Sequence, residues 1–120
     1  MESPESSIDS PNDSRKDAKG QSRKVLTHIV VWKYRADVPQ AAREEHVARL
    51  RSVSDVVPGI ESFSVGFDTV HLARSYDTGL VAVFRDRAAL DAYTVHPEHV
   101  KVADLGGGLS DHVASVDFEG

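Results

Sequence analysis

Two segments of the chain are apolar at odd and even positions alike, and this feature constrains the fold more than any other. They are VLTHIVVWKY (25–34), apart from His28, and GLVAVF (79–84). A strand with one face in water alternates apolar and polar residues, whereas an unbroken apolar run indicates a strand that is covered on both faces. The fold must therefore supply material on both sides of the sheet that contains these strands.

The remaining segments predict two helices and two further strands. PQAAREEHVARLRSVSDV carries a helical stripe made of Ala42, His46, Val47, Leu50 and Val53. ESFSVGFD alternates and is predicted to be a half-buried strand. DRAALDAYTV is predicted to be a helix capped by Asp86, and Pro97 interrupts it. PEHVKVADL then resumes the helix until the glycines at 106–108 end it, and HVASVDF (112–118) is the last strand.

The resulting order is β-α-β-β-α-β with a broken second helix, which is the α+β ferredoxin-like pattern with a four-stranded antiparallel sheet. Two helices can cover only one face of such a sheet. Because the strands at 25–34 and 79–84 are apolar on both faces, the second face is predicted to pack against the same sheet of another copy. We therefore expect a homodimer, a dimeric α/β barrel, joined through Ile29–Val31 and Val81–Val83.

Composition narrows the class of protein. The chain has 120 residues, a formal net charge of −5 and no cysteine. Its length favours one domain, and its acidic balance argues against a nucleic-acid partner. Without cysteine there is no disulfide and no thiolate-bound metal, so we expect a cytoplasmic location. No apolar run approaches the length of a membrane span. Residues 1–24 are mainly Ser, Asp, Lys, Pro and Glu and are predicted to be a disordered tail, which leaves a domain at 25–120.

The motifs of this domain carry a family resemblance. THIVVWKY, VPGIESFSVGFD, the segment ALDAYTVHPEH and the closing VASVDF resemble the stress-responsive A/B barrel (Dabb) family, from about residue 25 to the C-terminus. The resemblance implies a role in stress response and a ferredoxin-like dimer whose two sheets face each other, with the helices outside. That arrangement agrees with the strand pattern. Most members of the family have no assigned reaction.

One enzyme type in this family, the plant olivetolic acid cyclase, closes a linear polyketide by aldol condensation. Similarity to it places the catalytic tyrosine and histidine at Tyr93 and His99, and a further pocket histidine at His28. The positions that carry bulky aromatic residues around the cyclase pocket correspond to His46, Val47 and Leu50. A cyclase tryptophan is replaced by Ser110, so the acid–base groups are kept while the cavity differs. The resemblance implies, for an enzyme, a cofactor-free cyclase-like lyase that acts on another small apolar or aromatic carbonyl compound.

The pattern around Pro97 is consistent with proton transfer. A residue before proline avoids the helical region, so His96 is predicted to be the junction or N-cap of the second helical segment. His99 then lies in the first turn, where the helix dipole disfavours an imidazolium and favours a neutral general base. Tyr93 shares a helix face with Leu90 and should point inward. Its hydroxyl there either bonds a backbone acceptor or donates to a substrate carbonyl.

Further residues are expected to complete a binding cavity. His28 is either satisfied by a neighbouring side chain or lines a cavity between the sheet and the helices. The full set of predicted substrate-binding residues is Val30, Trp32, His46, Val47, Leu50, His96 and Val102. A zinc or iron site is not favoured, because Pro97 breaks the register between His96 and His99 and only Glu98 is a further ligand nearby. We therefore predict no metal and no cofactor.

Three functions are compatible with these residues. The first is a small-molecule pocket protein with acid–base chemistry at Tyr93, His99 and His28. The second is a non-catalytic stress protein whose dimer is itself the functional unit. The third is a cofactor-independent monooxygenase-like enzyme, which rests only on analogy with related dimeric barrels.

Overall fold

The computed structural model describes residues 24–120, which form one four-stranded antiparallel sheet and three helices. The predicted tail, residues 1–24, lies outside the described residues except for Lys24. The elements are β1 (Leu26–Tyr34), α1 (Gln40–Val53), β2 (Ile60–Phe67), β3 (Thr78–Phe84), α2 (Arg87–Val95), α3 (Pro97–Leu109) and β4 (Ser110–Glu119). This order confirms the predicted ferredoxin-like fold, in which α2 and α3 are the two parts of the broken helix.

The strands lie in the order β2-β3-β1-β4. The two unbroken apolar segments are therefore the two central strands, β1 and β3, which pair antiparallel with His28 opposite Ala82. On its other side β1 pairs with β4, where Asp117 lies opposite His28. Both strands are hydrogen-bonded along both edges, and their side chains point alternately to the two faces of the sheet.

One face of the sheet, called the covered face below, packs against the helices. Strand β3 buries Leu80, Ala82 and Phe84 there, and β1 buries Trp32 and Tyr34. The predicted stripe of α1 faces the same core, with its buried residues being His46, Val47, Leu50 and Val53. The helix therefore forms because its apolar positions recur at helical spacing and meet an apolar sheet.

The junction between α2 and α3 is formed as the sequence predicts. Asp86 caps α2, since its carboxylate accepts a hydrogen bond of 2.8 Å from the Ala89 N–H. His96 has an extended backbone, φ −65° and ψ 133°, and its Nδ1 accepts from the Glu98 N–H at 3.1 Å. A residue before Pro97 avoids the helical region, so the chain changes direction at His96 and starts a second helix.

The glycines at 106–108 do not end α3 as predicted, because the helix continues through all three to Leu109. Close packing accounts for the first of them: a Cβ on Gly106 would lie 2.6 Å from His46 Nε2 and 2.8 Å from Trp32 Nε1. Arg35 stabilises the helix end, since its backbone N–H donates to the Leu109 carbonyl at 2.9 Å and its guanidinium donates to the Gly108 carbonyl. These contacts offset the low helix propensity of glycine.

The second face of the sheet, called the open face below, has no helix over it. It is apolar at its centre and consists of Ile29, Val31, Val81, Val83, Ala114, Val116 and Phe118. Val81, Val116 and Phe118 are exposed in the single chain. No helix within residues 24–120 is long and apolar enough to cross a bilayer.

Candidate functional site

A cavity of about 340 Å³ lies between the covered face, α3 and β4. Strand β1 contributes His28, Val30 and Trp32 to its lining, and the helices contribute Tyr93 and His99. Its volume is within the range of small-molecule sites, and its lining is mainly apolar with a few polar groups. Together with Leu50 of α1, six of the predicted site residues thus line one cavity.

The broken helix brings the two predicted catalytic residues together. Tyr93 lies near the end of α2 and His99 in the first turn of α3, and their ring centroids are 4.1 Å apart. His28 reaches the same place from the middle of β1, with its ring centroid 5.9 Å from that of Tyr93. Two imidazoles and a phenol therefore converge at one end of the cavity.

Tyr93 is held as a neutral hydrogen-bond donor. Only 2% of the residue is exposed, and its ring packs against Phe84 with a centroid distance of 4.9 Å. Burial raises the pKa of Tyr93 to about 12, because a phenolate would lose its hydration. Within residues 24–120 its hydroxyl bonds no protein group, so the hydroxyl is free to donate to a ligand oxygen in the cavity.

His99 is held as a neutral base. Burial lowers the pKa of His99, and the nearby His28 and His96 act in the same direction. The His99 Nδ1–H donates to the Thr94 carbonyl at 3.2 Å, which partly opposes that lowering of the pKa. This bond also fixes the tautomer, so that Nε2 carries the lone pair that can accept a proton.

His28 is paired with an acidic residue that the sequence analysis missed. Asp117 of β4 lies directly opposite His28 in the strand register, and its carboxylate accepts a hydrogen bond from Nδ1–H. The bond orients the imidazole and leaves Nε2 as the ring nitrogen available to a ligand. The alternation of VASVDF gave a signal, because Asp117 shares its parity with Val113 and Ser115, which line the cavity.

Four predicted lining residues lie outside the cavity. Val47 and Val102 are buried in the core, and His96 caps α3. His46 is fully buried behind Trp32, with their ring centroids 5.0 Å apart, because α1 packs flat on the sheet and only Leu50 of its stripe reaches the cavity. None of the four faces the end of the cavity where Tyr93 and His99 meet.

His46 belongs to a separate buried network. Its Nδ1 and the Thr78 hydroxyl each lie 2.8 Å from the Tyr34 hydroxyl, while its Nε2 has no hydrogen-bond partner. Burial lowers the pKa of His46 to about 4, because a charged imidazolium would lie in an apolar environment. Across residues 24–120, no group of three or more His, Asp or Glu side chains is arranged to bind a metal ion.

Comparisons with known proteins agree with this geometry. A family model described as the stress-responsive A/B barrel domain matches residues 26–120. A dimeric ferredoxin-like protein of unknown function from Thermobifida fusca YX is similar in structure, with a TM-score of 0.74 and 21% identity, over 80% of this chain and 91% of that one. Another from Jannaschia sp. CCS1 has a TM-score of 0.70 and 28% identity, over 80% of this chain and 99% of that one.

A third similar structure is an enzyme, the hydroxynitrile lyase from Passiflora edulis. Its TM-score is 0.74 with 14% identity, and the match covers 81% of this chain and 94% of the lyase. At that identity the likeness shows the fold alone. No match was found among curated proteins.

Proposed function

The chain belongs to the stress-responsive A/B barrel domain family, and from this premise we propose that it binds a small carbonyl compound and transfers protons on it. The observation that carries the proposal is the convergence of His28, Tyr93 and His99 in one largely apolar cavity. A member of the family that served only as a dimeric scaffold would not require three such groups around an open space. The residues themselves supply an acid, a base and a hydrogen-bond donor.

The proposed chemistry begins with removal of an acidic C–H proton next to a carbonyl. The ligand carbonyl accepts a hydrogen bond from the Tyr93 hydroxyl, and His99 Nε2 takes the proton. The negative charge moves to the carbonyl oxygen, where Tyr93 stabilises the enolate. In an aldol condensation the enolate carbon then bonds a second carbonyl carbon, and the new alkoxide takes a proton from the protonated ring of His28, which the Asp117 carboxylate orients. His99 then releases its proton to solvent and His28 takes one up, so both rings return to their starting state.

The electrostatics support these roles. Burial raises the pKa of Tyr93 and lowers that of His99, so near neutral pH the phenol is a donor and the imidazole is a base. A proton donor and a proton acceptor with pKa values moved apart are typical of acid–base sites.

Hydrogen–deuterium exchange at a carbon next to a carbonyl tests the proposal without knowledge of the natural substrate. We expect the protein to accelerate exchange of the methylene protons of phenylacetone in D₂O, followed by NMR. His99→Ala and Tyr93→Phe should each lower the rate about 10²–10⁴-fold, the usual contribution of a general acid or base. His96→Asn is the matched control, since asparagine also caps helices and His96 lies outside the cavity.

The contrary result would favour the non-catalytic function. If phenylacetone shifts the NMR signals of the cavity residues but its protons exchange no faster than in buffer, the cavity binds without reaction. If His99→Ala loses stability as well as activity, whereas His96→Asn loses neither, His99 is a packing residue of the junction.

Cleavage of a hydroxynitrile is a second reaction of the same class. It requires a base for the hydroxyl proton and an acid that protonates the departing cyanide, and it yields a carbonyl compound and hydrogen cyanide. The likeness to the Passiflora edulis lyase motivates this candidate. Release of benzaldehyde from its hydroxynitrile, measured by absorbance, separates this reaction from C–H proton removal.

We also propose that two copies of this chain pack through their open faces, in a cytoplasmic setting. The apolar centre of that face and the dimeric state of similar solved proteins support the assembly. Both reaction candidates and the non-catalytic function share this dimer.

A further inference from the structure

Ala103 and Gly107 of α3 and Val113 and Ser115 of β4 are the exposed residues of the cavity lining, which indicates that the cavity opens between these two elements. His99, Ala103 and Gly107 follow one another at intervals of four residues, so they lie on one face of α3, and all three line the cavity. Val113 and Ser115 of β4 line it from the other side of the gap. Except for His99, the residues along this gap are small or of medium size.

Gly107 differs from the glycine before it. A Cβ on Gly106 would collide with His46 and Trp32, whereas a Cβ on Gly107 would meet no atom within 4 Å. Gly107 is exposed and helical, so close packing does not require glycine there. Glycine costs about 1 kcal/mol relative to alanine in a helix interior, and no contact of Gly107 compensates for this cost.

The cavity is elongated, and its two ends differ in chemistry. Along β1, His28 and Trp32 are separated by roughly 13 Å at the rise of a strand. Along α3, His99 and Gly107 are separated by about 12 Å at the rise of a helix. One end therefore carries the proton-transfer groups, while the other is formed by Trp32 and its cross-strand partner Val113, with Gly107 beside them.

We propose that ligands enter between α3 and β4, and that the missing side chain of Gly107 keeps this entrance wide enough for a bulky apolar group, such as an aryl ring. The carbonyl lies at the His28 end, and the apolar group lies over Gly107 against the Trp32 indole. The ligand class rests on the proposed function, but the position of the entrance does not. A leucine at position 107 projects into the gap and closes it.

Trp32 is the only tryptophan of the chain, so its fluorescence reports on access to the cavity. Quenching by acrylamide, a small neutral quencher, is measured for the wild type, Gly107→Leu and Gly108→Leu. Gly108 is the matched control, because it is also exposed and helical with no atom within 4 Å of a Cβ, but it does not line the cavity. We expect the quenching constant to fall several-fold in Gly107→Leu and to stay unchanged in Gly108→Leu.

Both substitutions replace glycine in a helix and should leave the melting temperature unchanged or raised. Gly107→Ala, which adds one methyl group, should give a smaller fall in quenching. This variant replaces Gly107→Leu in the test if leucine disturbs the fold. Equal quenching in all variants, or an equal fall at both positions, overturns the entrance. His99→Ala should not lower quenching, because access of acrylamide to Trp32 does not depend on the proposed proton transfer.

A second measurement addresses the bulky group. Binding of phenylacetone and of acetone is followed by NMR titration in the same variants. Gly107→Leu should weaken phenylacetone binding several-fold and leave acetone binding unchanged, whereas Gly108→Leu should affect neither. An equal loss for both ketones overturns the role of Gly107 in selecting size. If neither ketone binds the wild type while acrylamide quenching behaves as expected, the proposed function fails and the entrance stands.

Discussion

The two faces of the sheet are made by alternate residues of the same strands, yet they differ in almost every respect. In β3, Ala82 is 0% exposed and its neighbour Val81 is 42% exposed. The covered face is closed by helices, but incompletely, which leaves the cavity. The centre of the open face is mainly β-branched, and no helix lies over it. One strand sequence therefore contributes to an internal cavity and to an exposed apolar face at once.

The chemistry is divided between the faces in the same way. His28 and Asp117 form their hydrogen bond on the covered face, while Ile29 and Val116, their neighbours in the same two strands, lie on the open face. Because a strand alternates its side chains, a substitution can change one face and leave the other intact. Association and proton transfer should accordingly be separable by substitutions at neighbouring positions.

The largest expected effect comes from placing a charge on each face of β3. Val81→Asp should convert the dimer to monomers, and Ala82→Asp should unfold the chain, since an unpaired buried carboxylate costs several kcal/mol in either location. Ala92→Asp, on the exposed surface of α2, is the control and should change neither property. Sedimentation velocity at micromolar concentration and circular dichroism distinguish the outcomes.

Two results would contradict this division. A wild type that sediments as a monomer would show that the open face needs no partner. A Val81→Asp variant that unfolds like Ala82→Asp, without a folded monomer at any concentration, would show that the two faces are not independent.

A smaller loss of stability is expected at acidic pH, because His46, which packs on the covered face, then becomes protonated. In the folded chain the pKa of His46 is lowered to about 4 from its ordinary value of 6.5. Between these values the unfolded chain binds a proton that the folded chain does not. Stability is therefore complete above about pH 7 and falls as the pH decreases towards 4, by about 3 kcal/mol in total. The lowered pKa of His99 adds to the same loss.

Urea unfolding at several pH values between 7.5 and 4.5 measures this dependence. His46→Phe removes the titrating group and keeps a ring against Trp32, so its stability should fall less steeply with decreasing pH. His71→Ala, at an exposed loop position, is the control and should retain the wild-type dependence. Parallel curves for the wild type and His46→Phe would show that His46 does not cause the acid sensitivity.

Much of the fold follows from local patterns. The unbroken apolar segments predict the strands β1 and β3, the stripe of α1 predicts its buried face, and the proline predicts the junction at His96. The pairing of Asp117 with His28 was not predicted, because it depends on the register between the first and last strands. The continuation of α3 through Gly106 was missed for a similar reason: the contacts that stabilise it come from His46 and Trp32, far away in sequence.

The candidate site, too, was only partly predictable from the sequence. Tyr93, His99 and His28 were identified from a resemblance, and the structure places them in one cavity. Their roles as acid and base stay a prediction. The helix position of His46 gave no indication that it faces Tyr34 and Trp32 and lies outside the cavity, because a helical stripe defines a buried side but not which of its residues meet a void.

The smallest effects are expected from conservative substitutions at Asp117 and Val116, two neighbouring residues of β4 that point to opposite faces of the sheet. Asp117→Asn keeps the shape of the side chain but removes the negative charge next to His28. The rate of the self-aldol reaction of phenylacetone, in which the proposed mechanism assigns protonation of the new alkoxide to His28, should fall roughly tenfold, which corresponds to about 1.4 kcal/mol. Stability should change by less than about 1 kcal/mol, since the Asp117 side chain is 38% exposed. Asp91→Asn is the control, because Asp91 pairs with Arg87 on α2 and does not line the cavity.

Val116→Thr makes the complementary change on the open face. It keeps the size of the side chain and adds a hydroxyl, so it should weaken dimerisation measurably while the rate of the self-aldol reaction per folded chain stays at the wild-type value. Asp117→Asn should do the reverse, with a lower rate and an unchanged dimer. If Asp117→Asn and Asp91→Asn lower the rate equally, the carboxylate acts only through general electrostatics. If Val116→Thr lowers the rate as much as Asp117→Asn, the contact surface and the cavity are coupled through β4.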